Sequence, residues 1–218
     1  MMDEFDLEVI SCKSCKRLVE YASDVKENRR KIGYELDEYW CKPVPSFGPL
    51  DAELLIVGLA PGMHGAGSTG RPFTGDYAGE LLYETLYEFG MSNKSESMSK
   101  NDGLELKNVR ISNAVRCAPP NNKPTTEEVN NCSNFLIEEI CMMRGLKYIL
   151  ALGGLAHRAV LRAMSLKQSG YPFSHGAKHE LDGIEWELID SYHPSRYNLN
   201  TGRLNAEMFK GVFEVLKR

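Results

Sequence analysis

Residues 54–62 read Leu-Leu-Ile-Val-Gly-Leu-Ala-Pro-Gly, an unbroken apolar run that ends in proline and glycine. A short apolar run without polar alternation is typical of a strand that is buried on both faces, as in a parallel sheet. Three other runs have the same character, at Val109 to Val115, Tyr148 to Gly153 and Trp186 to Tyr192. Together with Leu54 to Ala60 they predict four parallel strands.

Between and after these runs, apolar residues recur at the three- and four-residue spacing of amphipathic helices. The helices predicted from this pattern are Ala78 to Gly90, Thr125 to Arg144, Leu155 to Met164 and Asn205 to Lys217. Thr125 and Glu128 are spaced as a capping box at the start of the second of these. Strands that alternate with helices predict a three-layer α/β/α sandwich around a central four-stranded parallel sheet, with ligands beyond the carboxyl ends of the strands.

The composition is that of an ordinary globular protein, with 42% hydrophobic and 26% charged residues in a chain of 218. We expect one domain over residues 1–218, with a mobile surface loop from Met91 to Gly103. The apolar runs are too short for a membrane span, and Met1 to Glu8 is acidic rather than a signal sequence. These features predict a cytoplasmic protein that does not bind membranes.

A formal net charge of −4 excludes a uniformly basic coat, so any affinity for nucleic acid requires a local basic patch. One early helix and the C-terminal segment are rich in basic residues. Those residues are Lys13, Lys16, Arg17, Lys26, Arg29, Arg30 and Lys31, and then Arg196, Arg203, Lys210, Lys217 and Arg218. For either stretch alone, a solvated helix face is a more common explanation than contact with DNA.

The six cysteines are not expected to form disulfides, because the cytoplasm keeps thiols reduced. Four of them are spaced as metal ligands: Cys12, Cys15, Cys117 and Cys132. Four thiolates suit zinc and an iron–sulfur cluster equally, so the spacing alone leaves both metals open. Either would join the N-terminal segment to the segment after the second strand. Cys41 and Cys141 are expected to be buried core thiols.

The segment from Gly58 to Gly79 contains seven glycines within 22 residues, which indicates backbone that approaches a ligand or adopts unusual conformations. It is not a phosphate-binding loop, because no Gly-Lys-Ser or Gly-Lys-Thr follows. The dinucleotide-binding pattern is not correctly placed after the strand either.

Four motifs occur together in an order that resembles the iron–sulfur uracil-DNA glycosylases of thermophiles. Among these the chain is most similar to the fifth family, often called type B. The motifs are Gly58-Leu59-Ala60-Pro61-Gly62, Gly70-Arg71-Pro72-Phe73-Thr74-Gly75-Asp76, Asn113 to Cys117, and His193-Pro194-Ser195. The resemblance implies a uracil-DNA glycosylase fold and an enzyme of base excision repair that hydrolyses the N-glycosidic bond of uracil in DNA. It also implies a [4Fe–4S] cluster held by Cys12, Cys15, Cys117 and Cys132.

Most members of the neighbouring fourth family have Glu directly after the first glycine of the first motif, whereas this chain has Leu59. In the fifth family the absence of that polar residue accompanies a looser pocket. The resemblance therefore implies that uracil and other deaminated bases, such as hypoxanthine, are accepted.

Cleavage of an N-glycosidic bond builds negative charge on the base and positive charge on the sugar, and it requires a positioned water. His193 can donate a hydrogen bond to the leaving base. Asp76 can orient water and offset the cationic sugar, although an Asp after Gly commonly caps a helix. Asn113 can bond the base edge, although a buried Asn often pairs with backbone. Phe73 can stack on the flipped base.

Backbone groups of the first motif complete the predicted base-binding site, at Gly58, Leu59, Ala60, Pro61 and Gly62. Ser195 and Arg196 are expected to reach the DNA backbone, with Tyr197 to Leu199 as a wedge into the vacated base stack. The other histidines, at positions 64, 157, 175 and 179, share no metal-binding spacing. They are interpreted as surface or core residues.

The main alternative is a metal-stapled α/β module that binds a nucleotide or damaged DNA without cutting it. A second alternative is a relative restricted to uracil. The expected partner is DNA that contains uracil or other deaminated bases. We expect a monomer, with a sliding clamp as a candidate protein partner.

Overall fold

The structure is a computed structural model that describes residues 4–28 and 38–216. Within these residues one sheet has five strands in the order β2-β1-β3-β5-β4. The strands are β1 (Leu54–Gly58), β2 (Val109–Asn113), β3 (Tyr148–Leu152), β4 (Lys178–Glu180) and β5 (Glu187–Ser191). Strand β1 pairs in parallel with β2 and β3, and β3 pairs in parallel with β5. All four predicted strands are confirmed, each one or two residues shorter at an end than its apolar run.

The prediction of a four-stranded, wholly parallel sheet is wrong at one edge, where β4 pairs antiparallel with β5. This edge strand has only three residues, Lys-His-Glu, and both Lys178 and Glu180 are exposed. A strand at the edge of a sheet has one partner and can be polar, so no apolar run indicates it.

Eight α-helices surround the sheet in the described part of the chain. They are α1 (Glu4–Ser11), α2 (Lys16–Asn28), α3 (Ala66–Thr69), α4 (Tyr77–Glu88), α5 (Thr126–Met142), α6 (Gly154–Ala163), α7 (Arg196–Asn200) and α8 (Ala206–Val215). The four predicted helices correspond to α4, α5, α6 and α8, with ends that differ by one or two residues. No helix in residues 4–28 or 38–216 combines the length and apolar character that crossing a membrane requires.

Alternate residues of each strand pack into different cores on the two faces of the sheet. From β1, Leu54 and Ile56 pack with helices α4 and α8. Leu55 and Val57 pack on the opposite face with α5 and α6. This alternation follows from the two-residue period of a strand, and it yields the predicted three layers.

The early basic helix is α2, and Lys13 lies just before it. Lys16 forms an ion pair with Glu20, and Arg17 forms one with Glu128 at 2.7 Å. These two pairs support the interpretation of a solvated helix face. The predicted basic residues at 29–31, 217 and 218 lie outside the described residues.

The segment from Met91 to Gly103 is a surface loop, as predicted, but its carboxyl-terminal half is anchored through Asp102. Nη1 of the buried Arg71 lies 2.8 Å from Oδ1 of Asp102. Burial alone would raise the pKa of Asp102, but hydrogen bonds from Arg71 and from the N–H groups of Leu104, Ser99 and Met98 lower it far below its ordinary value. These contacts hold the loop against the glycine-rich segment.

Candidate active site

The carboxyl ends of β1, β2, β3 and β5 open onto one cavity of about 490 Å³. Strand β1 lies between β2 and β3, so the strand order reverses there, and this is where open α/β sheets bind ligands. All but one of the residues predicted for catalysis, base binding and DNA contact line this base cavity: Leu59, Ala60, Pro61, Gly62, Phe73, Asp76, Asn113, His193, Ser195 and Arg196.

The exception is Gly58, whose missing side chain lets two wall residues approach each other. A Cβ atom at position 58 would collide with Oδ1 of Asn113 and lie 2.8 Å from Cζ of Phe73. Phe73 has φ of 53°, a left-handed conformation that is uncommon for a residue with a side chain and is often found at functional sites. Its ring lies 6.0 Å from the ring of His193. Gly58 is thus required by packing around the base cavity.

Asn113 ends β2 beside Gly58 and is only 3% exposed. Within the described residues its side-chain amide has no hydrogen-bonding partner. Its amide atoms are not among the fully buried, unpaired side-chain atoms of the described residues, so they are open to the base cavity that Asn113 lines. The alternative that Asn113 pairs with backbone is therefore not found in this part of the chain, and its donor and acceptor are available to the base cavity.

His193 follows β5, and its backbone is fixed by the side chain of Asn198, which donates a 2.8 Å hydrogen bond to the His193 carbonyl. Burial lowers the pKa of His193 to about 4. The imidazole is therefore neutral near pH 7, with one N–H to donate. Neither ring nitrogen has a hydrogen-bonding partner among the described residues, so the ring can bond a ligand in the base cavity.

Asp76 both caps a helix and lines the base cavity. Its Oδ1 accepts a 3.0 Å hydrogen bond from the backbone N–H of Gly79, so the helix-capping interpretation is confirmed. Burial raises the pKa of Asp76, while N–H groups of the first helical turn act to lower it. A Cβ atom at Gly65 would lie 2.9 Å from Oδ2, so this carboxylate packs closely against glycine backbone.

Asn122 also lines the base cavity and was not predicted. A Cβ atom at Gly62 would lie 3.9 Å from Oδ1 of Asn122 and 4.0 Å from Oδ2 of Asp76, so the two side chains approach the same glycine. The φ of Asn122 is 56°, a conformation that Asn tolerates better than most residues. The sequence feature that could have indicated Asn122 is the turn-forming stretch Pro119-Pro120-Asn121-Asn122.

Ser195 and Arg196 lie at the mouth of the base cavity, as predicted. The hydroxyl of Ser195 accepts a 3.4 Å hydrogen bond from the N–H of Asn198 and caps α7. Arg196 is exposed, with its guanidinium carbon 4.9 Å from the centre of the Tyr77 ring. A phosphate at the mouth would therefore meet the side chain of Arg196 before that of Ser195.

Of the residues predicted as a wedge, Tyr197 to Leu199, only Tyr197 has a largely exposed side chain. Tyr197 is 72% exposed, but Leu199 packs against the core and the amide of Asn198 is bonded to His193. On the opposite rim, Leu155 at the start of α6 is 55% exposed and lines the base cavity. The sequence placed Leu155 inside a helix, so its position at the rim was missed.

Four cysteines from distant parts of the sequence line one small cavity, which we call the cysteine corner: Cys12, Cys15, Cys117 and Cys132. The first two lie in the turn between α1 and α2. Cys117 follows β2, and Cys132 lies on α5. All four thiols are free of disulfides. The fold thus places the four cysteines around one cavity, and their role as metal ligands stays a prediction.

Burial, together with the neighbouring thiol of Cys132, raises the pKa of Cys117 to about 12. The backbone N–H of Arg116 lies 3.3 Å from Sγ of Cys132 and donates to it. Among the described residues, no three of the corner's sulfurs lie within 4.8 Å of one another. A single zinc ion with Zn–S bonds of about 2.3 Å would hold its sulfurs about 3.8 Å apart.

Two of the remaining histidines, which were interpreted as surface or core residues, share one buried carboxylate, and His157 is a core residue. His157 Nδ1 lies 2.7 Å from Oδ1 of Asp190, and His179 Nε2 lies 2.9 Å from Oδ2. His157 Nε2 also bonds the carbonyl of Tyr171 at 2.8 Å. These are hydrogen-bond distances, and they describe a buried polar network that anchors β5 three residues before His193.

The prediction that Cys41 and Cys141 are buried core thiols is wrong. Cys141 is exposed on the last turn of α5, and Cys41 is half-buried with φ of 45°. An isolated cysteine carries no positional signal of its own. Its burial depends on which side of a helix or loop faces the core.

Comparison with known proteins agrees with this site. Residues 45–217 match the family model of the uracil DNA glycosylase superfamily. The type-5 uracil-DNA glycosylase of Pyrobaculum aerophilum is 45% identical over 216 residues, which cover 99% of this chain and 91% of that protein. The type-5 enzyme of Thermus thermophilus is 45% identical over 208 residues, covering 95% and 93%. The type-4 uracil-DNA glycosylase of Sulfurisphaera tokodaii is 31% identical over 219 residues, covering 98% and 84%.

The fold and the cavity at the strand ends therefore define a member of the uracil-DNA glycosylase superfamily. Within that superfamily, the chain belongs to the type-5 family.

Proposed function

We propose that this protein flips uracil out of DNA and hydrolyses its N-glycosidic bond as the first step of base excision repair. The observation that carries the proposal is the convergence of His193, Asn113 and Asp76 on one cavity. Each of them offers a group that the reaction needs. Flipping is required because the bond to be cut is inaccessible inside a duplex.

The base is recognised at the inner end of the cavity. Asn113 offers a donor and an acceptor that no described protein group uses, and these match the alternating carbonyl and N–H groups of the uracil edge. The ring of Phe73 offers a stacking surface, which contributes about 1–3 kcal/mol for each base. Leu59 has no polar group with which to reject a different base edge, and this supports acceptance of hypoxanthine as a weaker substrate.

The bond between the sugar C1′ and the base nitrogen breaks with both electrons passing to the base. Neutral His193 donates a hydrogen bond to the base oxygen that becomes anionic, and one such donor contributes about 3 kcal/mol in the transition state. The Asp76 carboxylate stabilises the cationic sugar and accepts a proton from the water that attacks C1′. The departing base anion takes up a proton from solvent, and Asp76 releases to solvent the proton it accepted from water, so the products are the free base and an abasic site.

The cysteine corner is proposed to hold a [4Fe–4S] cluster through Cys12, Cys15, Cys117 and Cys132. One feature supports this over zinc. The sulfurs are spread more widely than one tetrahedral ion requires, and a cluster binds each thiolate through a different iron. The raised pKa of the Cys117 thiol calls for a positive charge to stabilise its thiolate, and either metal would supply one. The cluster would act as a structural link between the N-terminal helices and α5.

The proposal includes a monomeric protein that acts in the cytoplasm, with a sliding clamp as a candidate partner. Size-exclusion chromatography with light scattering tests whether the protein is a monomer. A pull-down with the purified clamp tests whether the two proteins bind.

The activity is tested by incubating the protein, in excess, with duplexes that carry uracil or hypoxanthine, followed by alkaline cleavage at abasic sites. We expect complete excision of uracil and slower excision of hypoxanthine. Binding in a gel-shift assay without abasic sites in either duplex would favour the non-catalytic binding module. Excision of uracil alone would identify the narrower relative.

A further inference from the structure

A second cavity, of about 780 Å³, lies on the other side of the glycine-rich loop that forms the base cavity. Its walls are Trp40, Tyr39 and His64, three lysines with one glutamate, and residues 98–101 of the anchored loop. We propose that this second cavity binds a nucleotide of the DNA strand that flanks the flipped-out base, with its base against Trp40 and its phosphate between Lys42 and Lys100. This inference rests on the proposed function, because it takes DNA as the substrate.

Trp40 is held rigidly against the glycine-rich loop. Its backbone N–H donates a 2.8 Å hydrogen bond to the carbonyl of Ser68, and its indole N–H donates at 3.0 Å to the carbonyl of Pro43. A Cβ atom at Gly70 would lie 2.8 Å from Cδ2 of the indole, so glycine is needed there for the ring to pack. A ring fixed in this way loses little entropy when a base stacks on it.

Two ammonium groups lie over the same ring. Nζ of Lys100 is 4.5 Å from the ring centre of Trp40, and Nζ of Lys42 is 5.5 Å from it. Both lysine side chains are exposed, so a phosphate can draw them off the ring at little cost. Aromatic rings combined with mobile positive charges are the usual platform for single strands of nucleic acid.

The second cavity has a fixed position relative to the base cavity. Gly75 lines the second cavity, and the next residue, Asp76, lines the base cavity. Arg71 donates a 2.8 Å hydrogen bond to the carbonyl of Lys100, in addition to its ion pair with Asp102. A strand that places one nucleotide in the base cavity therefore brings neighbouring nucleotides to the wall that carries Trp40 and Lys100.

The chain contains two tryptophans, Trp40 and Trp186, which allows a matched pair of fluorescent proteins. The W186F protein reports only Trp40, and the W40F protein reports only Trp186, which is 8% exposed in the core. Each is titrated with a duplex that carries a tetrahydrofuran abasic analogue, and fluorescence anisotropy of the labelled duplex measures binding independently. We expect emission to fall on binding in W186F but not in W40F. Unchanged Trp40 emission with the duplex bound would overturn the inference.

The charges are tested with Lys42→Gln/Lys100→Gln, for which Lys107→Gln/Lys167→Gln is the control. All four lysines are exposed, and the control pair lies outside the second cavity. We expect the slope of log affinity against log salt to fall by about one to two only in the first variant, because each lost phosphate contact removes about 0.9. Equal slopes in the two variants would overturn the phosphate contacts.

The two proposals fail separately. Quenching of Trp40 emission in W186F on binding, with no base excised by the wild-type protein, would refute the proposed function and support the second cavity. Excision of uracil with neither Trp40 quenching nor a changed salt slope would refute the second cavity alone. A wild-type protein that binds no duplex at all would overturn both.

Discussion

The base cavity and the cysteine corner both bury reactive groups, but with opposite chemical consequences. In the base cavity, burial lowers the pKa of His193 and leaves a neutral hydrogen-bond donor in place. In the cysteine corner, burial raises the pKa of Cys117 and disfavours the thiolate that would bind metal. The protein scaffold alone therefore prepares the first site, whereas at the second site the proposed cluster would supply the positive charge that favours the thiolate.

The two regions differ in what positions their reactive side chains. His193, Asn113 and Asp76 are positioned by strand ends, helix caps and glycine contacts that need no ligand. The cysteine corner brings together three segments, which are the turn between α1 and α2, the segment after β2, and α5, and the proposed cluster would link them. We expect changes in the base cavity to affect rate, and changes in the corner to affect folding.

The largest effect is expected for His193→Ala and Asp76→Asn in the base cavity. Each should lower the single-turnover rate of uracil excision by about 100-fold, or about 3 kcal/mol, because the lost interaction acts on charge that develops in the transition state. Asn caps helices as well as Asp does, so Asp76→Asn should melt at the wild-type temperature. Affinity for an abasic duplex should stay within about threefold. Near-normal excision by Asp76→Asn would leave Asp76 as a helix cap only.

For the corner, Cys117→Ala should lose its iron and melt at least about 5 °C below the wild-type protein, since the link between the N-terminal helices and α5 is broken. Elemental analysis and thermal melting measure the two effects. Cys141→Ala, which removes an exposed thiol outside the corner, is the control and should keep both. We expect about four irons in each wild-type chain. One zinc and no iron in protein purified without oxygen would contradict the cluster.

A smaller effect is expected for Phe73→Ala, which tests whether this ring stacks on the flipped base in the base cavity. Stacking is already present when the flipped base is bound, so its loss should weaken both capture and rate, each by about tenfold. Affinity is measured with a duplex that carries a non-cleavable uracil analogue, and the rate by single-turnover excision. Tyr87→Ala, which removes an exposed aromatic ring on α4 outside the base cavity, is the control. A loss confined to the rate would show that Phe73 acts only in the transition state.

The smallest effect is on the pH dependence of excision. Asp76 has a raised pKa and must be ionised, so the rate should rise with pH through a value above that of an ordinary Asp. His193, with a pKa of about 4, is already neutral over that range and should add no further step above it. Single-turnover rates from pH 4 to 8 test this. A rising limb that persists unchanged in Asp76→Asn would exclude Asp76 as its source.

Local signals predicted much of the fold and the site. The capping box of Thr125 and Glu128 is present as predicted, because it depends on residues only three positions apart. The residues of the base cavity were predicted because parallel strands place the loops after β1, β2 and β5 at one edge of the sheet. Gly58 was predicted as a base-binding residue of the first motif, but it lies outside the cavity lining and instead makes room for Asn113 and Phe73.

Other features depend on contacts between distant segments. The polar edge strand β4 is defined only by its pairing with β5. Asn122 reaches the base cavity because a turn with left-handed backbone carries it there from beyond Cys117. The network of His157, His179 and Asp190 joins a helix to two strands. None of these has a periodic or spacing signal.

By itself, the sequence determined the period of each strand and helix, the glycines that let the backbone approach the site, and the residue types that the chemistry needs. Only the tertiary structure decided which groups are buried. Burial lowers the pKa of His193, which leaves the imidazole neutral, and raises the pKa of Cys117, which disfavours its thiolate. The physical reason is that periodicity and turn preference are set by neighbours in the chain, whereas desolvation is set by whatever packs against a group from elsewhere. The same is true of the second cavity, where Trp40, Lys42 and Lys100 meet although nearly 60 residues separate the last two.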